Sequence, residues 1–511
     1  MMPDTTGHRR VANSVSTGLV LVLAAGLACG GAASAQAAVH TRKEIHHLTA
    51  AELANYKQGV ALMKTRAFND PTSWIYQANM HGYPTTSSIC PVVGTPQPLW
   101  STCQHGSFFF LAWHRMYLYY FERILQAAVR QAIGNPGYVF SLPFWDYENS
   151  AYHDLPAPFR SPANSTNPLY VAQRSSNCNS GALCVSASTA DDSAAMALIP
   201  FCNCSSGSCT GCTSGIPSAF GGGFIPAPNH SASFPGELEL QPHAAVHNAV
   251  GGSTGWMSYF TCAARDPIFW LHHANIDRLW QVWLNKLGGR QDPISNPTWA
   301  TQVFTFFDEN KRQVTLTGCK IVDMASQLNY QYEGVPVTNI KYCAAIAREA
   351  AQAQAAPSAP KSLAATAAAE TRLGSAPVQV KVALPAEVSK HVRSLAAAPL
   401  KPGRLWLAVE GIKVLNPGAV YQVYLNLPAG QKPDPAGPYF LGNVSLFTDL
   451  EHSEEVTRTF DLSSRVKALG SKGEVQLTFL REQLGQAKAA AAAPAEPAEF
   501  LRFTRVSILE R

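Results

Sequence analysis

Residues 105–122 read HGSFFFLAWHRMYLYYFE, and this stretch decides how the chain is expected to fold. Its apolar residues continue at helical spacing to a stop at residues 134–136, Gly-Asn-Pro, which predicts a long helix with one apolar face. His114 lies on that face, one turn before Leu118. His105 is nine residues earlier, about half a turn away around an ideal helix. Both rings can therefore reach one site only if His105 belongs to the loop before the helix.

A second stretch, residues 266–277, reads DPIFWLHHANID and predicts another helix, with an acidic cap and a proline at its start. His272 and His273 point about 100° apart on such a helix, so one at most is expected to face a shared metal. Asp277 lies one turn after His273 and could accept its second N–H, the usual support of a ligand histidine. This spacing favours His273 over His272 as the ligand.

Three further histidines extend the set. His81 ends a helical pattern that is expected to begin at residues 70–71, Asp-Pro, and to stop at Gly82. His243 and His247 are four residues apart, on one face of a helix. Neutral imidazole suits copper, so these residues are candidate ligands. Taken singly, each spacing also fits a core or surface histidine or, for His81, a partner of a helix C-terminus.

Together these residues resemble the superfamily of tyrosinases, catechol oxidases and molluscan hemocyanins, the coupled binuclear copper proteins. Two motifs match without gaps: H-x4-F-L-x-W-H-R-x2-L-x3-E at 105–122 and D-P-x-F-W-x2-H-x3-D at 266–277. The resemblance covers about residues 50–335 and implies a mainly α catalytic domain with a four-helix-bundle core around two copper ions. It assigns copper A to His81, His105 and His114 and copper B to His243, His247 and His273.

Within that superfamily the chain most resembles plant-type polyphenol oxidases. Residues 77–81 (QANMH), 142–146 (LPFWD), the Tyr-x-Tyr at 330–332 and residues 401–411 look like theirs. The N-terminus, however, reads as an export signal and not as a chloroplast transit peptide, with a basic start, an apolar run and small residues before a cleavage site. The chain is therefore expected to be a bacterial relative, secreted or periplasmic, that loses residues 1–37.

Four more positions follow from the resemblance. Phe260 aligns with a bulky residue that gates copper B, and Glu239 with a carboxylate that holds a water near that copper. In the family, an Asn directly after the first copper B histidine is associated with monophenol hydroxylation. Here that position is Ala244, while Asn248 follows the second histidine, which favours diphenol oxidation. The alternatives are a helix-terminal carboxylate for Glu239 and a core aromatic for Phe260.

The implied function is oxidation of o-diphenols (catechols) to o-quinones with O2 at two copper ions, with o-hydroxylation of monophenols as a second activity. A phenolic small molecule and O2 are then the partners. An o-aminophenol oxidase of the same fold stays open. A hemocyanin-like O2 carrier would use the same histidines, but carriers usually form large multi-unit arrays. A cysteine-rich binding protein without catalysis is the third alternative, and the oligomeric state is left open.

The composition indicates a folded protein of more than one domain. Of 511 residues, 46% are hydrophobic and 14% charged, and the net charge of +5 includes no basic run interleaved with aromatics that would indicate nucleic-acid binding. After a catalytic domain at 38–345, residues 346–374 are Ala-rich and predict a linker. Alternating apolar residues then predict a C-terminal β-sandwich at 375–511, which resembles a lid over the copper site in the plant relatives. Beyond the leader, no stretch is expected to span a membrane.

Cysteines add two predictions. Twelve are present and one leaves with the leader, so at least one of the odd remainder lies outside intramolecular disulfides. The four cysteines of residues 202–212 have a spacing that could mimic a zinc site, but disulfides are expected in an exported chain. The Cys-x-His form of Cys103 and His105 resembles the thioether of fungal and molluscan members. A Cys90–Cys103 disulfide and a buried free Cys262 are the alternatives.

Overall fold

The computed structural model describes residues 39–86, 89–204, 209–343, 360–367, 369–395, 404–448, 450, 454–469, 473–483 and 497–510. The predicted leader and residues 346–359 of the predicted linker lie outside these ranges. No helix in the described ranges combines the length and the apolar character that a membrane crossing requires.

Helices dominate the first region, residues 39–343. The longer ones are α1 (Ala50–Thr65), α2 (Trp74–His81), α3 (Phe110–Ile133), α4 (Ala245–Gly251) and α5 (Pro267–Asn285). Short α-helices lie between or after them at Ala157–Arg160, Ser176–Ser180, Ala187–Ala190, Ser193–Ala197, Pro297–Thr301 and Met324–Leu328. The mainly α character predicted for this region is confirmed.

Local sequence signals set the ends of these helices. Thr49 and Glu52 form a reciprocal capping box at the start of α1. α3 ends where Gly134 adopts a left-handed conformation with φ 66°. α2 begins later than predicted, because Ser73 and not Asp70 accepts a backbone N–H at its first turn.

The central helix α3 packs against both α1 and α5. Phe121 of α3 stacks on Trp270 of α5 with ring centroids 3.3 Å apart. Gly59 of α1 lies so close to α3 that an added Cβ would be 2.5 Å from a methyl group of Val129. Burial of each such large side chain stabilises the fold by about 1.5–3 kcal/mol. These contacts hold α3 and α5, which both carry candidate ligands, in one fixed arrangement.

Short strands complete the first region. They are β1 (His40–Arg42), β2 (Cys202–Cys204), β3 (Thr213–Ser214), β4 (Gly222–Gly223), β5 (Val303–Phe307), β6 (Gln313–Thr317) and β7 (Tyr330–Tyr332). β5 and β6 form an antiparallel pair, and β3-β2-β4 form a small sheet. β1 pairs in parallel with β7, so that the predicted Tyr-x-Tyr segment lies beside the first described residues.

Strands dominate the second region, residues 360–510. They are β8 (Lys361–Ala365), β9 (Thr371–Gly374), β10 (Val378–Ala383), β11 (Leu405–Val414), β12 (Tyr421–Leu425), β13 (Phe440–Val444), β14 (Val456–Asp461), β15 (Glu474–Arg481), β16 (Glu499–Phe503) and β17 (Arg505–Glu510). Helix α6 (Ala386–Leu395) follows β10, and a short helix spans Val466–Leu469.

These strands form two sheets around a common apolar core. One has the order β10-β15-β12-β13, and the other β8-β17-β11-β16-β9 with β14 also paired to β11. Buried residues of both sheets, such as Leu407 and Val423, belong to the same cluster. The predicted linker was too long at its C-terminal end, because β8 and β9 lie within it. Because the predicted linker is rich in alanine, its sequence showed no sign of these two strands. They add Leu363 and Leu373 to this core.

Candidate metal centre

Four helical segments and one loop carry the six predicted ligands. His81 is the last residue of α2, His105 lies in the loop before α3, His114 in α3, His243 just before α4, His247 in α4 and His273 in α5. The loop position predicted for His105 is therefore confirmed. Each of the six, and His272 beside them, exposes 2% or less of its surface.

The helix predicted to carry both His243 and His247 is not regular. Gln241 is extended (φ −150°, ψ 119°) within a π-helical turn at Glu239–Ala244. The regular geometry begins after this kink, and the rings of His243 and His247 are 4.7 Å apart. The two imidazoles thus still lie side by side, as expected for residues four apart on a helix. The kink at Gln241 separates Glu239 from the regular helix that follows.

The six rings form one continuous cluster. Centroid distances are 5.1 Å for His81–His105, 4.9 Å for His105–His114, 4.5 Å for His114–His273, 5.0 Å for His243–His273 and 5.8 Å for His105–His243. The grouping of nitrogen atoms differs from the two predicted triads, because His273 lies with His81 and His114 as well as with His243 and His247. The sequence thus identified the members of the cluster, and its division between two ions remains an assignment by resemblance.

Most of these rings are oriented in the same way. A backbone carbonyl accepts the Nδ1–H of four of them: Phe260 for His81 (3.1 Å), Phe110 for His114 (2.8 Å), Glu239 for His243 (3.0 Å) and Met257 for His247 (2.7 Å). No described residue hydrogen-bonds the buried Nε2 of His81, His105, His114 or His243. A fixed Nδ1–H with an unpaired Nε2 is the usual state of a histidine that binds metal.

Burial also sets the charge of the cluster. It lowers the pKa of His81, His105, His243, His247 and His273 well below the ordinary value, and neighbouring imidazoles add to the effect. The pKa of His114 falls to about 3 for the same reason. The rings are therefore neutral, which is the form that coordinates copper. The residues fit a pair of copper ions.

His272 lies closer to this cluster than predicted. Its Nδ1 is 3.0 Å from the hydroxyl of Tyr147, and its ring is stacked 5.3 Å from that of His243. A nitrogen of His272 lies within one group with His243, His247 and His273. The rings of His272 and His273, 5.2 Å apart, both border the cluster, and the expectation that one at most of them faces a shared metal stays a prediction.

The predicted role of Asp277 is also wrong. Its carboxylate accepts hydrogen bonds from Arg115 Nε at 2.5 Å and from the hydroxyls of Tyr330 and Tyr332 at 2.6 and 2.7 Å. Nδ1 of His273 has no hydrogen-bond partner among the described residues. Asp277 instead ties α5 to α3 and β7, because a buried carboxylate is bound most strongly by a guanidinium and hydroxyl donors.

Glu239 and Phe260 both border the cluster. One carboxylate oxygen of Glu239 accepts the backbone N–H of Gly106 at 2.8 Å, and burial raises the pKa of this carboxyl to about 8. Phe260 packs 4.6 Å from His105 and 4.9 Å from His81. It thus contacts the histidines assigned to copper A and not, as expected, those of copper B.

The two positions that follow the copper B histidines have different surroundings. Ala244 is buried and lines a small cavity beside Glu239. Asn248 contacts the second region, since its amide donates to Ser445 Oγ at 2.8 Å and its oxygen accepts the N–H of Gly418 at 2.8 Å. The structure shows no hydrogen bond from Ala244 or Asn248 to a ring of the cluster.

Cys103 is the described cysteine that forms no disulfide. Its sulfur lies 3.4 Å from Nδ1 of His105 and 3.4 Å from Nδ1 of His230, a residue that the sequence did not single out. Cys90 pairs with Cys262, so the two alternatives for these cysteines, a Cys90–Cys103 bond and a free Cys262, are wrong.

Four other disulfides are present in the described residues: Cys178–Cys184, Cys202–Cys212, Cys204–Cys209 and Cys319–Cys343. The cluster at residues 202–212 is thus fully paired, as predicted. No thiolate is left there for zinc, which removes the basis of the third functional alternative.

Sequence reasoning missed Phe447, which belongs to the second region. Its ring lies 5.4 Å from Phe260 and 5.7 Å from His243 and stacks on His247. The cavity that remains between Phe447, Glu239 and His105 measures about 20 Å³. Such a volume holds roughly one water molecule and no phenol. The local sequence around Phe447 has no feature that distinguishes it from other core residues close to the end of a strand.

Comparisons with known proteins agree with this geometry. Residues 71–286 match the common central domain of tyrosinase, residues 293–344 the polyphenol oxidase middle domain, and residues 360–510 a domain of unknown function, DUF7868. Tyrosinase HcTyr1 of Hahella sp. (strain CCB-MM4) is 36% identical over 57% of this chain and 63% of its own length. Chloroplastic polyphenol oxidase A1 of Vicia faba is 31% identical over 58% of this chain and 48% of its own length.

The similarity to these curated relatives thus spans about half to two thirds of their length. A solved structure, that of latent apple tyrosinase, extends the likeness of fold to both regions. It covers 93% of this chain and 98% of its own, with a TM-score of 0.61 at 21% identity.

Proposed function

Because the chain belongs to the tyrosinase and polyphenol oxidase superfamily, we propose that it is an oxidoreductase that oxidises o-diphenols to o-quinones with O2. The observation that carries the proposal is the buried cluster of neutral imidazoles, in which the Nε2 atoms of His81, His105, His114 and His243 have no hydrogen-bond partner among the described residues. We assign copper A to His81, His105 and His114 and copper B to His243, His247 and His273, held by a bundle of α2, α3, α4 and α5. Oxidation of two catechols accompanies reduction of one O2 to two waters.

A pair of copper ions supplies the two-electron redox chemistry that such a reaction needs. The protein holds the rings, excludes water and handles protons. Glu239 is suited to the last task, because a carboxyl whose pKa is about 8 can take up and return a proton near neutral pH. Its second oxygen has no hydrogen-bond partner among the described residues and is available to a water or to a phenol hydroxyl.

Diphenols are the proposed substrates because Ala244 offers no side-chain polar group at the position after the first copper B histidine. Hydroxylation of monophenols is the lesser activity, and o-aminophenols are the second candidate class. We also propose a thioether between Cys103 and His105, supported by their 3.4 Å contact, and export of the chain to the periplasm or medium.

We further propose that the second region is a lid that keeps the full chain latent. Phe447 covers His247 and leaves a cavity of about 20 Å³, too small for a phenol. An O2 carrier would also exclude organic molecules, so turnover of phenols by the full chain is the observation that separates an enzyme from a carrier.

Polar contacts attach this lid to the helical region. Arg458 and Glu237 form an ion pair in which both side chains are buried, and a buried pair of this kind is costly to break. Glu482 accepts hydrogen bonds from the hydroxyls of Ser188 (3.0 Å) and Thr189 (2.6 Å).

The test compares the full chain with a chain that ends at Ala345, both loaded with copper, on a panel of mono-, di- and aminophenols. The shortened chain keeps Cys343 and therefore its disulfide with Cys319. We expect catechol turnover to rise on shortening and to vanish when copper is withheld. A shortened, folded, copper-loaded chain that does not turn over any phenol would refute the enzyme proposal.

A further inference from the structure

One loop orients a histidine of each proposed copper site. This orienting loop, residues 256–262, lies between α4 and α5. The carbonyl of Met257 accepts the Nδ1–H of His247 at 2.7 Å, and the carbonyl of Phe260 accepts that of His81 at 3.1 Å. His247 is assigned to copper B and His81 to copper A. A shift of this one loop would therefore remove the support of a ligand at both sites.

The loop packs closely against the two histidine helices. A Cβ on Gly82, which follows His81, would lie 2.8 Å from Cα of Thr261. A Cβ on Gly251, at the end of α4, would lie 2.3 Å from both the backbone nitrogen and the side-chain oxygen of Ser258. Neither contact leaves room for an added methyl group, so a displacement of the loop is transmitted to α2 and α4.

Three consecutive residues hold the loop from outside, and we call residues 89–91 the tether. The indole N–H of Trp256 donates to the carbonyl of Ile89 at 3.1 Å, at the start of the loop. Cys90 forms a disulfide with Cys262 at its end, and both are buried. Arg265, just beyond the loop, donates to the carbonyl of Pro91.

We propose that the orienting loop and its tether form one positioning element for both metal sites, so that the Cys90–Cys262 bond makes retention of the two copper ions interdependent. The inference rests on the proposed copper sites. Without the covalent bond, the loop would keep only hydrogen bonds to the tether, and His81 and His247 would lose fixed acceptors together. Loss of such support typically lowers metal affinity about 10–100-fold.

The test measures copper release from the full, copper-loaded chain to excess chelator, well below its unfolding temperature. We expect Cys90→Ser/Cys262→Ser to release both ions about tenfold faster than wild type, in step. Trp256→Phe keeps the disulfide and should accelerate release of both ions to a smaller extent. The matched control is Cys319→Ser/Cys343→Ser, whose disulfide closes 24 residues, and it should release copper at the wild-type rate.

Each other result overturns the inference. Unchanged release shows that the bond does not position the ligands, and equal acceleration in the control shows a general loss of stability. Faster loss of one ion only, seen as an EPR signal from chains with a single Cu(II), contradicts a shared element. If the double variant does not fold, Trp256→Phe decides alone, and an unchanged rate in it counts against the inference. A wild-type chain that binds no copper refutes the proposed function itself.

Discussion

The ring of Phe447 is stacked on the ring of His247, with centroids 3.7 Å apart and planes 12° from parallel. The two residues belong to different regions of the chain. An aromatic ring of the second region thus covers one face of a proposed copper ligand. The proposed latency of the full chain can therefore be tested at this one side chain.

Replacement of Phe447 by Ala should raise the catechol oxidase activity of the full, copper-loaded chain by about tenfold or more, because a larger fraction of molecules can admit substrate. Steady-state kinetics on catechol measure the gain. Phe440→Ala, another aromatic of the same region without a ring contact to the histidines, is the control and should leave the chain latent. Equal activity of wild type and Phe447→Ala would exclude this side chain as the block.

Each of the six proposed ligands should be needed for copper. Replacement of His114 or His273 by Ala should remove at least one of the two ions and abolish quinone formation, because each is proposed to supply one of the three imidazoles of a copper site. His272→Ala should retain both ions, because the resemblance assigns copper B to His243, His247 and His273. Copper content of purified variants measures the effect. A copper-depleted His272 variant beside a copper-replete His273 variant would reverse the assignment.

In the copper-loaded chain exposed to O2, which would accept the two electrons and two protons that are lost, we expect a thioether between Cys103 and His105, as the resemblance implies and their 3.4 Å contact allows. The peptide that contains both residues should be lighter by two hydrogen atoms than its sequence mass, and its sulfur should not react with thiol reagents after reduction. Mass spectrometry of a proteolytic digest measures both the mass of this peptide and its modification by thiol reagents. An alkylatable Cys103 in active protein would exclude the thioether.

Introduction of Asn at position 244 should shift the shortened chain toward monophenols. Ala244 lines the cavity beside Glu239, so an amide there could orient a water or a phenol hydroxyl toward that carboxylate. The ratio of monophenol to diphenol turnover should rise by at least about threefold, which corresponds to at least about 0.6 kcal/mol. Ala245→Asn, one residue further along the helix, is the control.

Acid should destabilise the fold through Glu122. Burial would raise the pKa of this carboxyl, but Arg42 and His40 outweigh it and hold the pKa at about 2, below the ordinary 4.5. A lowered carboxyl pKa stabilises the fold fully above the unfolded value and loses this contribution as pH falls from 4.5 toward 2. Glu122→Gln should lower stability at neutral pH by up to about 3–5 kcal/mol, because Arg42 loses one of its two buried carboxylate partners and keeps Asp277 at 3.5 Å. Its unfolding free energy should also depend less on pH below about 4.5. Chemical unfolding at several pH values measures both effects.

The sequence could predict the members of the cluster because two ungapped motifs resemble those of a known superfamily, and the local features of the chain agree with them. A helix end for His81, a loop for His105 and an i, i+4 pair are visible within a few residues, and the structure brings all of them together. The hydrogen-bond partners of Asp277 could not be predicted from the neighbouring sequence. Its choice of Arg115, Tyr330 and Tyr332 over His273 depends on a competition among donors that only the folded core assembles.

Other parts of the site could not be predicted from the sequence for the same reason. Phe447 reaches His247 only because a sheet of the second region docks on the helices, and about 200 residues separate the two in the sequence. Cys90 and Cys262 have no shared motif, so their pairing could not be chosen from spacing. The later strands of the second region could be predicted because their apolar and polar residues alternate. β8 and β9 could not be predicted, because they lie in an Ala-rich stretch.

The pairing of β1 with β7 limits how far the mature N-terminus can be trimmed. Arg42 is fully buried, and its guanidinium neutralises Glu122 at 2.8 Å and approaches Asp277 at 3.5 Å. A signal peptidase or a contaminating protease that cut after Arg42 would leave two carboxylates in the core with one cation fewer. Purification tags should therefore be placed ahead of His40, and an N-terminal sequencing result beyond Arg42 would identify a damaged preparation.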